Sequence, residues 1–253
     1  MEDWIQQLAI LDHLKERSHI WWFEIDDCLE YCLNKTMLLS PEEAERFRSF
    51  RFLTDQAAFL ARRVLLKMLI ASYMRLSVER VRIIEGQGRK PMIAPELARA
   101  PAGNLEFSVS RSGQSIAIGF ALQPIGVDLE IVREFSDVDS LLGSCCTLDE
   151  ARALREESPR LFWDRFFRLW TGKEAVAKAV GLGLSIDFSS FSLPEEPSSF
   201  RRPALVTGLG LDTRPLWLGL ERFQSPQRNV LMLAHAAFDW QESPEVFRNP
   251  SRP

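Results

Sequence analysis

Histidine is scarce in this chain: His13, His19 and His235 are the only three among 253 residues. So few imidazoles leave little material for a histidine-rich metal centre, and the four cysteines do not make up for it. Cys28 and Cys32 are spaced as helix neighbours and Cys145 and Cys146 are adjacent, and neither pair has zinc spacing. The simplest reading is reduced thiols in a cytoplasmic protein. No apolar run reaches the roughly 20 residues that cross a bilayer. Glu2 and Asp3 precede only a short amphipathic run, which is not a signal peptide. Positive charge is not in excess either: the net charge is −4, which argues against nucleic acid as a bulk partner. The length and an apolar content of 46% allow one large domain or two small lobes with a substantial core.

Acidic residues, by contrast, occur in a pattern. The segment Ser115–Glu130, SIAIGFALQPIGVDLE, is rich in β-branched and small apolar residues around one Gln-Pro interruption. It predicts a strand, a turn at Pro124 and a second short strand. Side chains alternate along a strand, so Asp128 and Glu130 share a face about 6.8 Å apart. That spread suits oxygen ligands converging on Mg²⁺, which takes one or two carboxylates and keeps room for water and substrate phosphate. A bare D-x-E is usually a solvated strand end, so the pair acquires meaning only from its surroundings.

Those surroundings are the helix predicted around Arg160–Val180. Phe162, Phe166, Leu169, Val176 and Val180 recur at helical spacing and form an apolar stripe, and Gly181 is a C-terminal stop. If the helix is continuous through Thr171-Gly172, Lys173 falls on the centre of that stripe, where burial requires an anionic partner. Glu174 and Lys178 are four apart on another side. As a surface pair they would contribute a few tenths of a kcal/mol. The sharper reading sets Glu174 on a metal and Lys178 on a phosphate, and helix geometry alone does not choose between the two.

The rest of the chain falls into two similar halves. In the first, an apolar strand-like run spans His19–Ile25. A capping-box pattern at Ser40–Glu43 opens a helix, and a longer helix runs from Thr54 to about Met74. Strands are expected at Val81–Glu85, Leu105–Val109 and Ser115–Leu122. The second half starts with Ile125–Glu130, repeats the capping box at Thr147–Glu150 and continues into the long helix. Strand-like runs then return at Phe188–Leu193, Leu216–Phe223 and Val230–Phe238. Strand, two helices and strands appear twice, which predicts an α+β fold of tandem pseudo-duplicated lobes. Each lobe would be an antiparallel-type sheet packed with helices. The expected divisions are an N-terminal extension (1–18, with an amphipathic helix over Met1–Lys15), an N-terminal lobe (19–124), a C-terminal lobe (125–239) and a flexible tail (240–253).

The motifs Gly126–Glu130 (GVDLE) and Trp170–Gly181 (WTGKEAVAKAVG), taken together, resemble the paired signature of the 4′-phosphopantetheinyl transferase family. The best match is its single-chain, two-lobed group, the surfactin synthetase activator type. Other segments agree in the family's order: Arg63–Lys67 resembles R-x-L-L-R, Gly88–Pro91 resembles the G-K-P loop with one residue inserted, and Phe107–Gly113 resembles F-N-x-S-H-S-G. Two positions depart from the pattern. Arg111 stands where the family has histidine, and Ser108 stands where it has asparagine. Arginine keeps a donor and a permanent charge, so phosphate binding survives the change, whereas a proton-accepting role does not.

The resemblance implies transfer of 4′-phosphopantetheine from coenzyme A to a serine of an apo acyl or peptidyl carrier protein, releasing 3′,5′-adenosine bisphosphate. The active site would lie between the lobes. The nucleophile comes from the partner, so no internal Ser-His-Asp pattern is needed. Mg²⁺, with Mn²⁺ as an alternative, would sit on Asp128, Glu130 and Glu174. Lys173 or Lys178 would stabilise charge on the phosphates, and Glu174 is also a candidate base. Coenzyme A would meet Arg63, Lys90, Pro91 and Arg111, with the Ser110–Gly113 turn offering backbone N–H groups. The carrier protein is expected to be acidic and to dock near Arg133–Cys146, and the transferase to act as a monomer. Two other readings of the same acids are a catalytically idle coenzyme A- or carrier-binding homologue, motivated by Arg111, and another metal-dependent phosphohydrolase.

Overall fold

A computed structural model describes residues 1, 5, 11–86, 91–97, 104–181, 186–194, 199–206, 209, 215–238 and 242–248. The aromatic run His19–Glu24 forms strand β1, buried along its whole length. Helix α1 (Ile25–Leu33) follows directly, burying Ile25, Cys28 and Cys32 on one face. Helix α2 (Pro41–Ser49) opens at the expected capping box: the Glu43 N–H donates to Ser40 Oγ at 3.2 Å and the Ser40 N–H donates to Glu43 Oε2 at 2.8 Å. Helix α3 (Leu53–Met74) is the long helix of the first half. A hairpin of β2 (Ile83–Glu85) and β3 (Pro91–Ile93) follows, and then β4 (Glu106–Ser112), β5 (Ser115–Ala121) and β6 (Ile125–Ile131).

The second half continues with α4 (Val138–Cys145), α5 (Leu148–Arg155), α6 (Pro159–Val180), β7 (Ala204–Val206), β8 (Leu216–Gln224), β9 (Val230–Phe238) and β10 (Glu245–Arg248). Helix α5 opens at the second expected capping box, Thr147 with Glu150. Helix α6 runs straight through Thr171-Gly172 and stops at Gly181, whose φ of 81° is the left-handed geometry that glycine adopts without steric cost.

Two four-stranded sheets carry the architecture, in the orders β10-β1-β5-β4 and β6-β9-β8-β7. Within each, three strands repeat one antiparallel arrangement, β1-β5-β4 in the first and β6-β9-β8 in the second. One apolar core packs the first sheet against α1 and α3, and a second packs the other sheet against α4 to α6. A third, built on Ile20, Trp22, Ile125, Val127, Leu129 and Leu233, joins the two sheets. The result is a mixed α+β protein.

Two expectations need correction. The segment Phe188–Leu193 is not a strand: Phe188–Ser190 is a 3-10 turn capped by Asp187, with Phe188, Phe191 and Leu193 pointing into the core. Alternating apolar residues there serve loop packing rather than a pleat. The C-terminal segment is not wholly a loose tail, because Glu245–Arg248 adds a parallel strand to β1. Phe247 stacks on Trp21 at 4.5 Å and the Arg248 guanidinium sits over the Trp22 and Phe223 rings, and these contacts hold the polar segment in place. Of the expected N-terminal helix, the described residues include Ile5, which is α-helical and donates its N–H to the Met1 carbonyl at 3.0 Å, and a 3-10 turn at Leu11–Lys15.

Candidate active site

Strand β6 delivers Asp128 and Glu130 because its backbone lies directly under α6. A Cβ on Gly126 would overlap the Ala175 carbonyl oxygen and come within 2.6 Å of the Ala179 nitrogen. The glycine of GVDLE therefore permits a helix–strand approach that no other residue allows. That approach brings Glu174 and Lys178 of α6 over the two strand carboxylates. Lys178 Nζ donates to Asp128 Oδ1 at 2.6 Å and to the Val127 carbonyl at 3.2 Å.

The edge of the first sheet completes this cluster. Strand β4 meets β6 edge to edge, and alternate serines of β4 take the place of a backbone ladder. Ser108 Oγ accepts the Val127 N–H at 2.9 Å, and Ser112 Oγ accepts the Ile131 N–H at 3.0 Å. Ser110 Oγ donates to Asp128 Oδ1 at 2.7 Å and Ser112 Oγ donates to Glu130 Oε2 at 2.8 Å. Trp170 of α6 stands beside Glu130 and favours its charged form. Each strand carboxylate is thus oriented by neighbours from a different element.

Electrostatically the cluster is short of positive charge. Burial and the neighbouring Asp128 and Glu130 push the Glu174 carboxyl up to about 7, against the pull of Lys178. Burial and Asp128 likewise raise Glu130 above the ordinary carboxylate range. Asp128 Oδ2 is buried with no hydrogen-bond partner. An all-oxygen donor set with an orphaned buried oxygen and mutually repelling carboxylates fits a hard divalent cation. The three carboxylates are neighbours without being a ready-made ligand set. Among the described residues, only His13, His19 and Glu245 bring three such atoms within 4.8 Å of one another. Here Lys178 and the serine hydroxyls hold Asp128 and Glu130 individually.

Lys173 is not part of this cluster, and the expectation of a catalytic and phosphate-binding role for it is corrected here. Its side chain is fully buried, donating to Glu150 Oε2 at 2.5 Å and to the Phe188 carbonyl at 2.6 Å, beside the Phe191 ring. The same arrangement occurs in the first half, where buried Lys67 donates to Glu43 Oε2 and the Leu38 carbonyl, both at 2.6 Å. Each lysine stands at the same position along its long helix, and each pairs with the glutamate of a capping box. The stripe position predicted burial with an anionic partner, and Glu150 is that partner.

On the other side of β4 lies a cavity of about 280 Å³ lined by Arg46, Arg62, Arg63, Phe59, Pro91 and Val109, among others. Arg63 pairs with Glu43 at 3.2 Å and stacks over Phe59. Burial lowers its pKa. Burial, together with the positive charges of Arg111, Arg63 and Arg46, lowers Arg62 to about 10. Such crowding of like charge, next to apolar walls, suits an anion with a flat apolar part. Arg111 reaches the Gly113 carbonyl at 3.1 Å and stands 3.9 Å from Asp55. Lys90 lies outside the described residues. Ser110 to Ser112 belong to strand β4 and the reversal is only Gly113-Gln114, so the expected backbone nest narrows to that turn. Ser110 itself is engaged with Asp128 rather than turned to the cavity.

Sequence reasoning passed over Ser112, which holds Glu130 by a hydrogen bond, and Trp170, which stands beside it. The period-2 serines of β4 and the tryptophan at the head of the helix motif were the available signals. Arg46 and Arg62 lie outside the motifs that the sequence offered.

Comparison with known proteins bears on this arrangement. Residues 124–217 match the family described as the 4′-phosphopantetheinyl transferase superfamily, and residues 4–121 match 4′-phosphopantetheinyl transferase, N-terminal. The chain is 29% identical over 244 residues to the 4′-phosphopantetheinyl transferase HetI of Nostoc sp., covering 94% of this chain and 95% of that protein. It is 30% identical over 156 residues to the 4′-phosphopantetheinyl transferase Sfp of Bacillus subtilis, 61% of this chain and 66% of the relative. It is 26% identical over 172 residues to the L-aminoadipate-semialdehyde dehydrogenase-phosphopantetheinyl transferase of Rattus norvegicus, 64% of this chain and 54% of the relative. With two matching regions that between them span most of its length and an acid–lysine cluster where both signature motifs meet, this chain belongs to the 4′-phosphopantetheinyl transferase family.

Proposed function

We propose that this protein transfers 4′-phosphopantetheine from coenzyme A to a serine hydroxyl of an apo carrier protein, with release of 3′,5′-adenosine bisphosphate. The observation that carries the reading is the meeting of Asp128 and Glu130 on β6 with Glu174 and Lys178 on α6. Asp128, Glu130 and Glu174 would hold Mg²⁺ or Mn²⁺ after a change of side-chain rotamer. Such an ion, when bound, supplies compensation for charge on the pyrophosphate. Lys178 adds a second positive charge beside Asp128 and meets the same developing charge. Ser110 and Ser112 keep the strand carboxylates oriented. Glu174 serves first as a ligand and is the alternative base for the carrier serine, two roles that compete because a metal-bound carboxylate is a poor base.

The arginine cavity beside β4 is the proposed nucleotide site, with Pro91 along the base and Arg46, Arg62, Arg63 and Arg111 facing phosphates. We read the chain as two pseudo-duplicated lobes, 19–124 and 125–239, with the site at their junction. The repeated strand order and the Lys67–Glu43 and Lys173–Glu150 pairs support a duplication. Both lobes contribute from one chain, so the transferase acts as a monomer. The carrier partner is acidic, in keeping with the basic surroundings of the cavity. Four free thiols accord with a reducing cytoplasm.

Incubation with coenzyme A, Mg²⁺ and an apo carrier, followed by mass spectrometry of the carrier, tests the proposal. A gain of about 340 Da, the mass of the group transferred in a phosphoryl-transfer step, supports it. Nucleotide or phosphate released with no mass gain on fatty-acid, polyketide and nonribosomal-peptide carriers alike would refute it in favour of a hydrolase.

A further inference from the structure

Far from the acid cluster, the two ends of the chain meet over one buried imidazole. Parallel pairing of β1 with β10 sets His19 opposite Glu245, so both side chains stand on the same face of the sheet. The 3-10 turn Leu11–Lys15 adds His13, whose ring lies edge-on to His19 with centroids 6.3 Å apart. One ligand atom from each of His13, His19 and Glu245 lies within 4.8 Å of the other two.

The His19 ring is fully buried, and its Nε2 has no hydrogen-bond partner; the nearest carboxylate oxygen, Glu245 Oε2, is 3.8 Å away. A buried polar nitrogen left unpaired costs free energy unless something binds it. The other ring nitrogen is held: Nδ1 lies 2.5 Å from the Tyr73 hydroxyl, which also accepts the Trp21 indole N–H at 2.9 Å. The hydroxyl oxygen has two lone pairs, so it accepts both N–H groups when His19 carries its proton on Nδ1. That tautomer leaves the Nε2 lone pair free for a cation, with an oriented partner behind it of the kind that metal-bound imidazoles have. Phe247 closes the ring from the side at 5.1 Å. His13 is exposed and Glu245 partly exposed, so an ion can enter and keep a water as a fourth ligand. The nearby Arg17 is already paired with Glu242.

We propose that His13, His19 and Glu245 form a site for a zinc-class divalent ion that ties the N-terminal turn and the C-terminal strand to the first sheet. Two imidazoles and one carboxylate with a water suit Zn²⁺ or Co²⁺ and not Mg²⁺, which prefers oxygen alone. The site stands apart from the transferase chemistry and takes a different ion.

The full chain, stripped with EDTA and supplied with excess Mg²⁺ to saturate the acid cluster, is titrated with Zn²⁺ and followed by native mass spectrometry and thermal unfolding. One zinc per chain and a raised unfolding temperature are expected. His13→Ala, an exposed change outside the core and the active site, should weaken zinc binding by at least about tenfold, the loss that even an outer-sphere partner's removal causes. It should leave carrier modification unchanged. Co²⁺ should give the visible absorption of a tetrahedral site in the wild type and lose it in His13→Ala and Glu245→Gln. Absence of zinc binding, or equal binding by wild type and both variants, would overturn the proposal.

Discussion

Replacing Lys173 by methionine separates a structural from a catalytic lysine in the helix motif. The lysine is fully buried, and its ammonium is the counter-charge of Glu150. Glu150 is itself committed to the fold: it accepts the Thr147 N–H at 2.9 Å to cap α5, and the Leu193 N–H at 2.9 Å. Methionine fills the aliphatic volume but leaves the carboxylate without its cation and the Phe188 carbonyl without its donor. Breaking a buried ion pair from one side costs about 3–5 kcal/mol. In a chain of this length that lowers the unfolding temperature by roughly 6–20 °C. Circular dichroism melts give the stability, and carrier modification measured well below the transition gives the chemistry. Transfer should survive once the protein is folded. The double variant Lys173→Met with Glu150→Gln should recover part of the loss, because removing both partners leaves no stranded charge. A Lys173→Met protein that melts like the wild type yet transfers nothing would refute this reasoning and put the ammonium on coenzyme A.

Three further outcomes follow from the same geometry. Glu174→Gln should stabilise the metal-free protein at pH 8. The wild-type carboxyl binds its proton more tightly folded than unfolded, so its contribution is complete below about 4.5 and is lost as pH rises through about 7. The difference, about 2 kcal/mol after allowing for partial exposure, should shrink toward pH 4.5 in denaturant titrations run with EDTA. Gly126→Ala should destabilise by about 1–3 kcal/mol or more and depress transfer beyond the fraction unfolded, since the added methyl lifts α6 from β6. Equal melting of variant and wild type would contradict the close approach. Asp128→Asn should keep the fold and slow transfer by roughly 100-fold, the kinetic equivalent of about 3 kcal/mol of lost charge stabilisation. Wild-type rates in that variant would remove the metal argument.

Much of the fold was readable because it rests on local periodicity. The capping boxes at Ser40 and Thr147 start their helices as expected, and the predicted Val230–Phe238 strand is β9 as observed. Helix α1 was missed: Ile25–Leu33 runs on directly from β1, and no capping side chain at Glu24 marks its start. Strands β3 and β7, three residues each, are too short to carry a pattern. β10 was taken for tail because the C-terminal segment that contains Glu245–Arg248 is polar and Pro-containing, and its strand is held by pairing with β1 and by Phe247 and Arg248 on distant aromatic rings. At the site, the alternation of Asp128 with Glu130 and the four-residue step from Glu174 to Lys178 were visible in the letters. The period-2 serines of β4 marked one face of a strand, but a serine pattern does not say which edge it will meet.

The order of residues alone therefore settles which groups can share a strand face or a helix side, and with them the family and the class of chemistry. It does not settle which lysine turns toward the acids. That choice belongs to packing: α6 rolls against β6 at Gly126, sending Lys178 to Asp128 and Lys173 to Glu150, fifty and twenty-three positions away in the chain. The meeting of His13, His19 and Glu245 has the same origin. Contacts between distant segments are fixed by the burial of whole faces, and no local spacing records them.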